Sequence, residues 1–217
     1  MSIGTRPVPQ SETEAERRVD DAVQTINVIL AVTGCIVLGT LAGHGTDPAR
    51  LMAVAAYGAG LLAMVMCSAL YGRGRHSLRR WRYRALDQAA IFVMIAGTYT
   101  PFVVVYAPTG QRVALLAVIW TAAMAGILLR LAAPSRFEPF VVLFYLLMGW
   151  AVAIDPSLLL RLPHVTAILL AAGGALYTAG VAFHLSRMRF QEAIWHCFVA
   201  AAAACHYAAV LITVFHA

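Results

Sequence analysis

Apolar residues run in long blocks along this chain, divided by short polar separators. A helix needs about 20 apolar residues to cross the hydrocarbon core of a bilayer. Seven blocks reach or approach that length, at 23–43, 50–71, 86–106, 112–132, 138–154, 164–184 and 192–215. The fifth is the shortest. The separators HGTDPAR, GRGRHSLRRWRYR, APTGQ, APSRFE, DPSLLLRLP and LSRMRFQ are rich in Gly, Pro, Asp, Ser and Arg, and they read as turns. Such short connections make each helix the antiparallel neighbour of the next. The pattern predicts an all-α, polytopic membrane protein built as a seven-transmembrane-helix bundle.

Composition supports the same reading. Of the 217 residues, 61% are hydrophobic and only 12% charged, with a mean hydropathy of +0.77. Soluble domains carry about 25% charged residues. Residues 1–22, MSIGTRPVPQSETEAERRVDDA, are polar and include Pro7 and Pro9. They lack the apolar core and cleavage site of a signal peptide. The expectation is a disordered arm over 1–22, followed by a membrane domain over 23–217 whose first span serves as an uncleaved anchor.

Charge sets the orientation. The chain has no lysine, so all sixteen basic side chains are arginine. A retinal Schiff base, which needs a lysine amine, is thereby excluded. Thirteen arginines fall on the N-terminal arm and the second, fourth and sixth loops; three fall on the other loops. The positive-inside rule then places the N-terminus in the cytoplasm and, with seven spans, the C-terminus outside. The expected location is the cell inner (plasma) membrane. One loop holds six arginines with Trp81 and Tyr83 among them. That composition suits anionic lipid headgroups and an interfacial aromatic belt, so the expected partners are membrane lipids and not nucleic acid.

Cys35, Cys67, Cys197 and Cys205 lie in apolar segments with no CxxC pair, and they read as packing residues. Ionisable groups inside spans cost about 2.5–3.5 kcal/mol each and usually face the bundle interior. The candidates are Asp87, His184, Glu192, His196 and His206, with Ser68 beside them. Orientation places the end of the second span and the starts of the third and seventh at the cytoplasmic face. Ser68, Asp87, Glu192 and His196 should therefore share one depth. Glu192 and His196 stand at i and i+4, on one helical face, where both could grip a metal ion or simply pair with each other. Asp87 either caps the first turn of its helix, pairs with Arg84, or serves this site. His206 is expected in an interhelical hydrogen bond, and the Gly173-Gly174 pair in close helix packing.

Five strings carry a resemblance: Ser68-Ala-Leu-Tyr71, Leu86-Asp87, Ile95-Ala-Gly-Thr-Tyr-Thr-Pro101, Ile194-Trp195-His196 and Ala204-Cys205-His206-Tyr207. Together they resemble the hemolysin III family, which belongs with the progestin and adipoQ receptors. The resemblance implies a seven-helix bundle with a cytoplasmic zinc site made of three histidines, with an aspartate holding a zinc-bound water. It also implies relatives that act as zinc-dependent lipid amide hydrolases. Asp87 and His196 match that pattern. The other two histidine positions carry Gly72 and Glu192, and Gln24-Thr-Ile-Asn27 stands where a Thr-His pair is expected. The expected site thus has His196 and Glu192 as metal ligands and Asp87 and Ser68 in catalytic roles, with zinc as the implied cofactor and its ligand set incomplete. His76, one turn past Gly72, is a further candidate donor.

Two functions compete at this point. One is a metal-dependent lipid amide or ester hydrolase. The other is a non-enzymatic membrane protein, acting by lipid binding, membrane sensing or a channel or cytolysin-type role, that has lost the zinc chemistry. Transport is a weaker third, because the acids sit near one surface. The orientation is testable with reporters. Alkaline phosphatase fused to the C-terminus should be active and a fluorescent protein fused there dark; the reverse pattern would require an even number of crossings.

Overall fold

The computed structural model describes residues 13–43, 47–74, 77–132, 138–154, 156–186 and 188–215. Among these the secondary structure is helical, with no strand. The helices are α1 (Glu14–Ala42), α2 (Pro48–Arg73), α3 (Arg80–Tyr106), α4 (Thr109–Ala132), α5 (Glu138–Gly149), α6 (Pro156–Leu159), α7 (His164–His184) and α8 (Gln191–Phe215). Six of them are long and apolar enough to cross a membrane. The fifth expected span, 138–154, is instead broken into the 12-residue α5 and a 3-10 turn over Ala151–Ile154. At 1.5 Å per residue, α5 extends about 18 Å, short of the roughly 30 Å hydrocarbon core.

The first helix begins earlier than expected. Residues 14–22, assigned above to a disordered arm, form the start of α1. Thr13 caps it, and Thr13 with Glu16 makes a capping box in which each satisfies the other's end of the turn. Residues 1–12 lie outside the described residues.

α3 is the central helix. Two-thirds (67%) of its apolar window is buried, against 11% for α4, which leaves α4 on the lipid-facing side. α2 and α4 flank α3, α1 packs on α2 and α8, and α7 pairs with α8. Small residues set the spacing. A Cβ at Gly97 would lie 2.7 Å from the Ala56 carbonyl oxygen, and one at Gly60 would lie 3.0 Å from the Val93 oxygen. The α2 and α3 backbones therefore touch, as small-residue interfaces allow in lipid. Gly173 likewise admits the His206 ring, so one of the two adjacent glycines does serve close packing.

The string Ile95-Ala-Gly-Thr-Tyr-Thr-Pro101 has a structural role. The Thr98 and Thr100 hydroxyls donate to the Met94 and Ala96 carbonyls, both at 2.8 Å. Pro101 sits buried inside the helix, where it removes one backbone donor. The Tyr99 hydroxyl donates to the Met148 and Gly149 carbonyls and accepts from the Val152 amide, at 2.9–3.0 Å. It thus holds the end of α5 and the start of the 3-10 turn.

α1 and α8 begin at the same end of the bundle. The Phe190 amide donates to Glu16 Oε1 (3.2 Å), and the Tyr207 hydroxyl to the Gly34 carbonyl (2.9 Å). At the opposite end, Arg50 donates to the Val214 carbonyl at 3.1 Å.

The α2–α3 contact predicts a sharp asymmetry between glycines. Gly97→Leu should lower thermal stability by about 1–3 kcal/mol, as overpacking does. Gly39→Ala, where nothing lies within 4 Å of the added Cβ, should not lower it, and helix propensity favours the alanine. Thermal unfolding of the purified protein reads both.

Candidate functional site

The centre of the site is His196, on the second turn of α8 and buried there. Its Nδ1 lies 2.6 Å from Asp20 Oδ1, and its Nε2 lies 3.0 Å from Ser68 Oγ. Asp20 is an α1 residue only 2% exposed. Its second oxygen accepts from Gln24 Nε2 at 3.1 Å. With Asp20 ionised, Nδ1 carries the imidazole proton, and in the neutral ring Nε2 has a lone pair that shares the single Ser68 hydroxyl proton with the Asp87 carboxylate. One turn further along α1, Asn27 Nδ2 donates to the His196 carbonyl at 3.3 Å.

Asp87 faces the same serine. Its carboxylate is within hydrogen-bonding reach of the Ser68 side chain, and Arg84, Glu192 and His196 all act on its charge. Because α3 starts at Arg80, Asp87 stands two turns inside the helix. It is therefore not the first-turn cap considered above, and it lines the same cavity as Arg84. Glu192 is in the first turn of α8, as expected, but its Oε2 lies 3.8 Å from His184 Nδ1 at the end of α7. The i, i+4 pair of Glu192 and His196 is thus split: His196 is bonded to α1 and α2, and Glu192 faces α7. His206 contacts the Leu170 carbonyl on α7 at 3.3 Å, the interhelical contact expected of it. His76 lies outside the described residues, and the four cysteines are free.

Ser68, Asp87, Glu192 and His196 all line one cavity of about 280 Å³. Gln24, Asn27, Tyr71 and Arg84 complete its polar end. Away from that end the wall is mostly apolar, with Met94, Phe102, Leu159, Leu162 and Leu170, interrupted by Thr98, Tyr99, Thr178 and His206. The polar groups come from α1, α2, α3 and α8, so the site exists only when all four are packed.

Two features limit a metal centre here. A catalytic zinc takes three protein ligands and one open position. A side chain at position 72 would enter space that Gln24 fills: a Cβ on Gly72 would lie 3.0 Å from Gln24 Nε2. Both nitrogens of His196 already have partners, and Glu192 faces His184. Among the described residues no group of three His, Cys, Asp or Glu is placed to hold a metal ion. The donors as arranged do not fit a three-ligand zinc site.

Asp20, Gln24 and Asn27 are the residues that sequence reasoning missed as site members. Asp20 was assigned to the polar arm. The signal was present in Thr13-Glu14-Ala15-Glu16, a capping-box string that starts a helix at residue 14 and puts Asp20 and Gln24 on one face of it.

These observations define a class: a polytopic helical membrane protein with a buried Asp–His–Ser cluster at the polar end of an apolar cavity. The chain belongs to the haemolysin III family. The family model described as "Haemolysin-III related" matches residues 22–207. The Hemolysin-3 protein of Bacillus cereus is 36% identical over 193 residues, 87% of each chain. The Hemolysin-3 homolog of Bacillus subtilis (strain 168) is 30% identical over 189 residues, 86% of this chain and 88% of that one. Monocyte to macrophage differentiation factor of Homo sapiens is 31% identical over 165 residues, 71% of this chain and 67% of its own. This last match carries the relation to the progestin and adipoQ receptors.

The Gly72–Gln24 contact yields a suppressor prediction. Gly72→Leu should push Gln24 off Asp20 and lower the unfolding temperature. Adding Gln24→Ala should recover most of the loss, because neighbours that share space are non-additive. Additive losses would mean that Gln24 does not fill the space over residue 72.

Proposed function

We propose that this chain is a plasma-membrane acyl hydrolase that takes a lipid amide or ester from the bilayer. The observation that carries the reading is the cavity: mostly apolar along its wall, with Ser68, His196, Asp87 and Arg84 all lining it. An acyl chain would lie along Met94, Phe102, Leu162 and Leu170, leaving its head-group carbonyl against the polar cluster. Burying a chain this way gains about 0.8 kcal/mol per methylene only relative to water. From within a bilayer that gain vanishes, so recognition must come from the polar end.

The proposal includes seven crossings with the N-terminus in the cytoplasm. α1 and α8 begin at the same end of the bundle. An even number of crossings must then precede α8, which supports a crossing by the broken segment 138–159. The arginine bias supports the cytoplasmic assignment of that end.

A second reading, binding without chemistry, draws on Gly72 and Glu192, which depart from the histidines of the resembled zinc pattern. A wide aqueous pore has less support, since the cavity is apolar over most of its wall.

The test is release of fatty acid by the full-length protein in nanodiscs, with N-acyl amides and acyl esters as substrates. We expect turnover that falls by about 100-fold or more in His196→Ala, the usual range for losing a general base. Lipid that binds stoichiometrically without any release would favour the second reading.

A further inference from the structure

Asp20 precedes the family-matched residues 22–207, yet it is one of the most deeply buried side chains in the molecule. We propose that Ser68, His196 and Asp20 form a metal-independent nucleophile relay, and that the chain cleaves a lipid acyl bond through a covalent Ser68 acyl-enzyme. The inference rests on the acyl-hydrolase reading above and names its nucleophile.

The geometry is that of an activated serine. Nucleophile and base lie 3.0 Å apart, and base and orienting carboxylate 2.6 Å apart. Both distances fall within the roughly 2.6–3.2 Å expected of such pairs. The three residues come from α2, α8 and α1, so the arrangement is tertiary and not a local turn. Asp20 is itself held by Gln24, which fixes the carboxylate that sets the histidine tautomer. Ser68 and His196 both line the cavity while Asp20 is buried behind them, so the nucleophile and base are the members that meet substrate. The Gly72 and Glu192 positions, which break the zinc pattern, leave this relay intact.

The reaction balances with water alone. Ser68 Oγ attacks the carbonyl carbon, and its proton passes to His196 Nε2. The imidazolium returns that proton to the leaving amine or alcohol as the C–N or C–O bond breaks, leaving the acyl group on Oγ. A water then attacks the acyl carbon and gives its proton to Nε2. Oγ regains the proton as the carboxylic acid departs. Arg84 lines the same cavity and is the cation there that the tetrahedral oxyanion would draw on. Asp20 is a positioning residue: it acts through the histidine, whose Nδ1 it holds so that Nε2 faces the serine.

The experiment uses a fluorophosphonate probe on the EDTA-treated, full-length protein in nanodiscs, with labelled peptides read by mass spectrometry. The relay predicts phosphonylation of Ser68, its loss in His196→Ala, and fatty acid release that survives chelation. Asp20→Asn should slow labelling by about 10³–10⁴-fold, by analogy with the loss of the orienting carboxylate in a serine triad. Asp20→Glu should recover part of that rate, which a merely structural role would not require. An unlabelled Ser68 in natural protein that is folded and monodisperse overturns the proposal. So does fatty acid release that stops with chelator and returns with zinc; in that case the hydrolase reading stands and only the serine assignment falls. Absence of both labelling and release removes both.

Discussion

A histidine buried in a membrane bundle needs a partner for each ring nitrogen, because an unsatisfied polar group in apolar surroundings is costly. His196 finds one partner on α1 and another on α2. The Asp20 contact is the more demanding of the two, since it takes a carboxylate away from the interface and buries it to 2% exposure. A buried charge left without its partner costs several kcal/mol. Asp20 and His196 therefore stabilise the fold only as a pair, and the pair forms only when α1 and α8 lie side by side with their starts at the same end.

Other contacts keep that register. One turn before Asp20, Glu16 caps α1 and accepts the Phe190 amide, with Arg189 nearby at 3.8 Å. Phe190 holds a positive φ of 59° as the chain enters α8, a conformation that bulky residues adopt only when the surroundings impose it. Further along, Asn27 and Gly34 on α1 meet the His196 carbonyl and the Tyr207 hydroxyl. The polar end of the cavity is thus built by the same contacts that pack the first helix against the last. On the other side, Gly60 and Gly97 bring α2 against α3, which brings Ser68 and Asp87 together. Site and fold share their determinants, so changes at the site should also affect assembly.

Much of this was legible in the sequence, for physical reasons. Long apolar blocks and Gly/Pro/Arg separators report a helical membrane protein directly, and six of the seven expected spans fall on single helices, with α1 and α3 starting nine and six residues earlier than expected. The fifth could not be read as a broken element, because hydropathy does not register the Tyr99 hydroxyl that holds the end of α5. The convergence of Ser68, Asp87, Glu192 and His196 followed from alternating topology alone. Their pairing did not: Glu192 and His196 share a helical face, yet their partners lie on different helices, and no one-dimensional spacing records that. Asp20 was hidden by composition. It sits among Glu14, Glu16, Arg17, Arg18 and Asp21, so a polar average over residues 1–22 masked one buried acid in an otherwise solvated turn.

Asp20 and His196 act as one unit. A double-mutant cycle of Asp20→Ala and His196→Ala, read by thermal unfolding of the purified protein in one lipid environment, measures that coupling. The double variant should be less destabilised than the sum of the singles, with a coupling of about 1–3 kcal/mol. Additive losses, with coupling near zero, would contradict it.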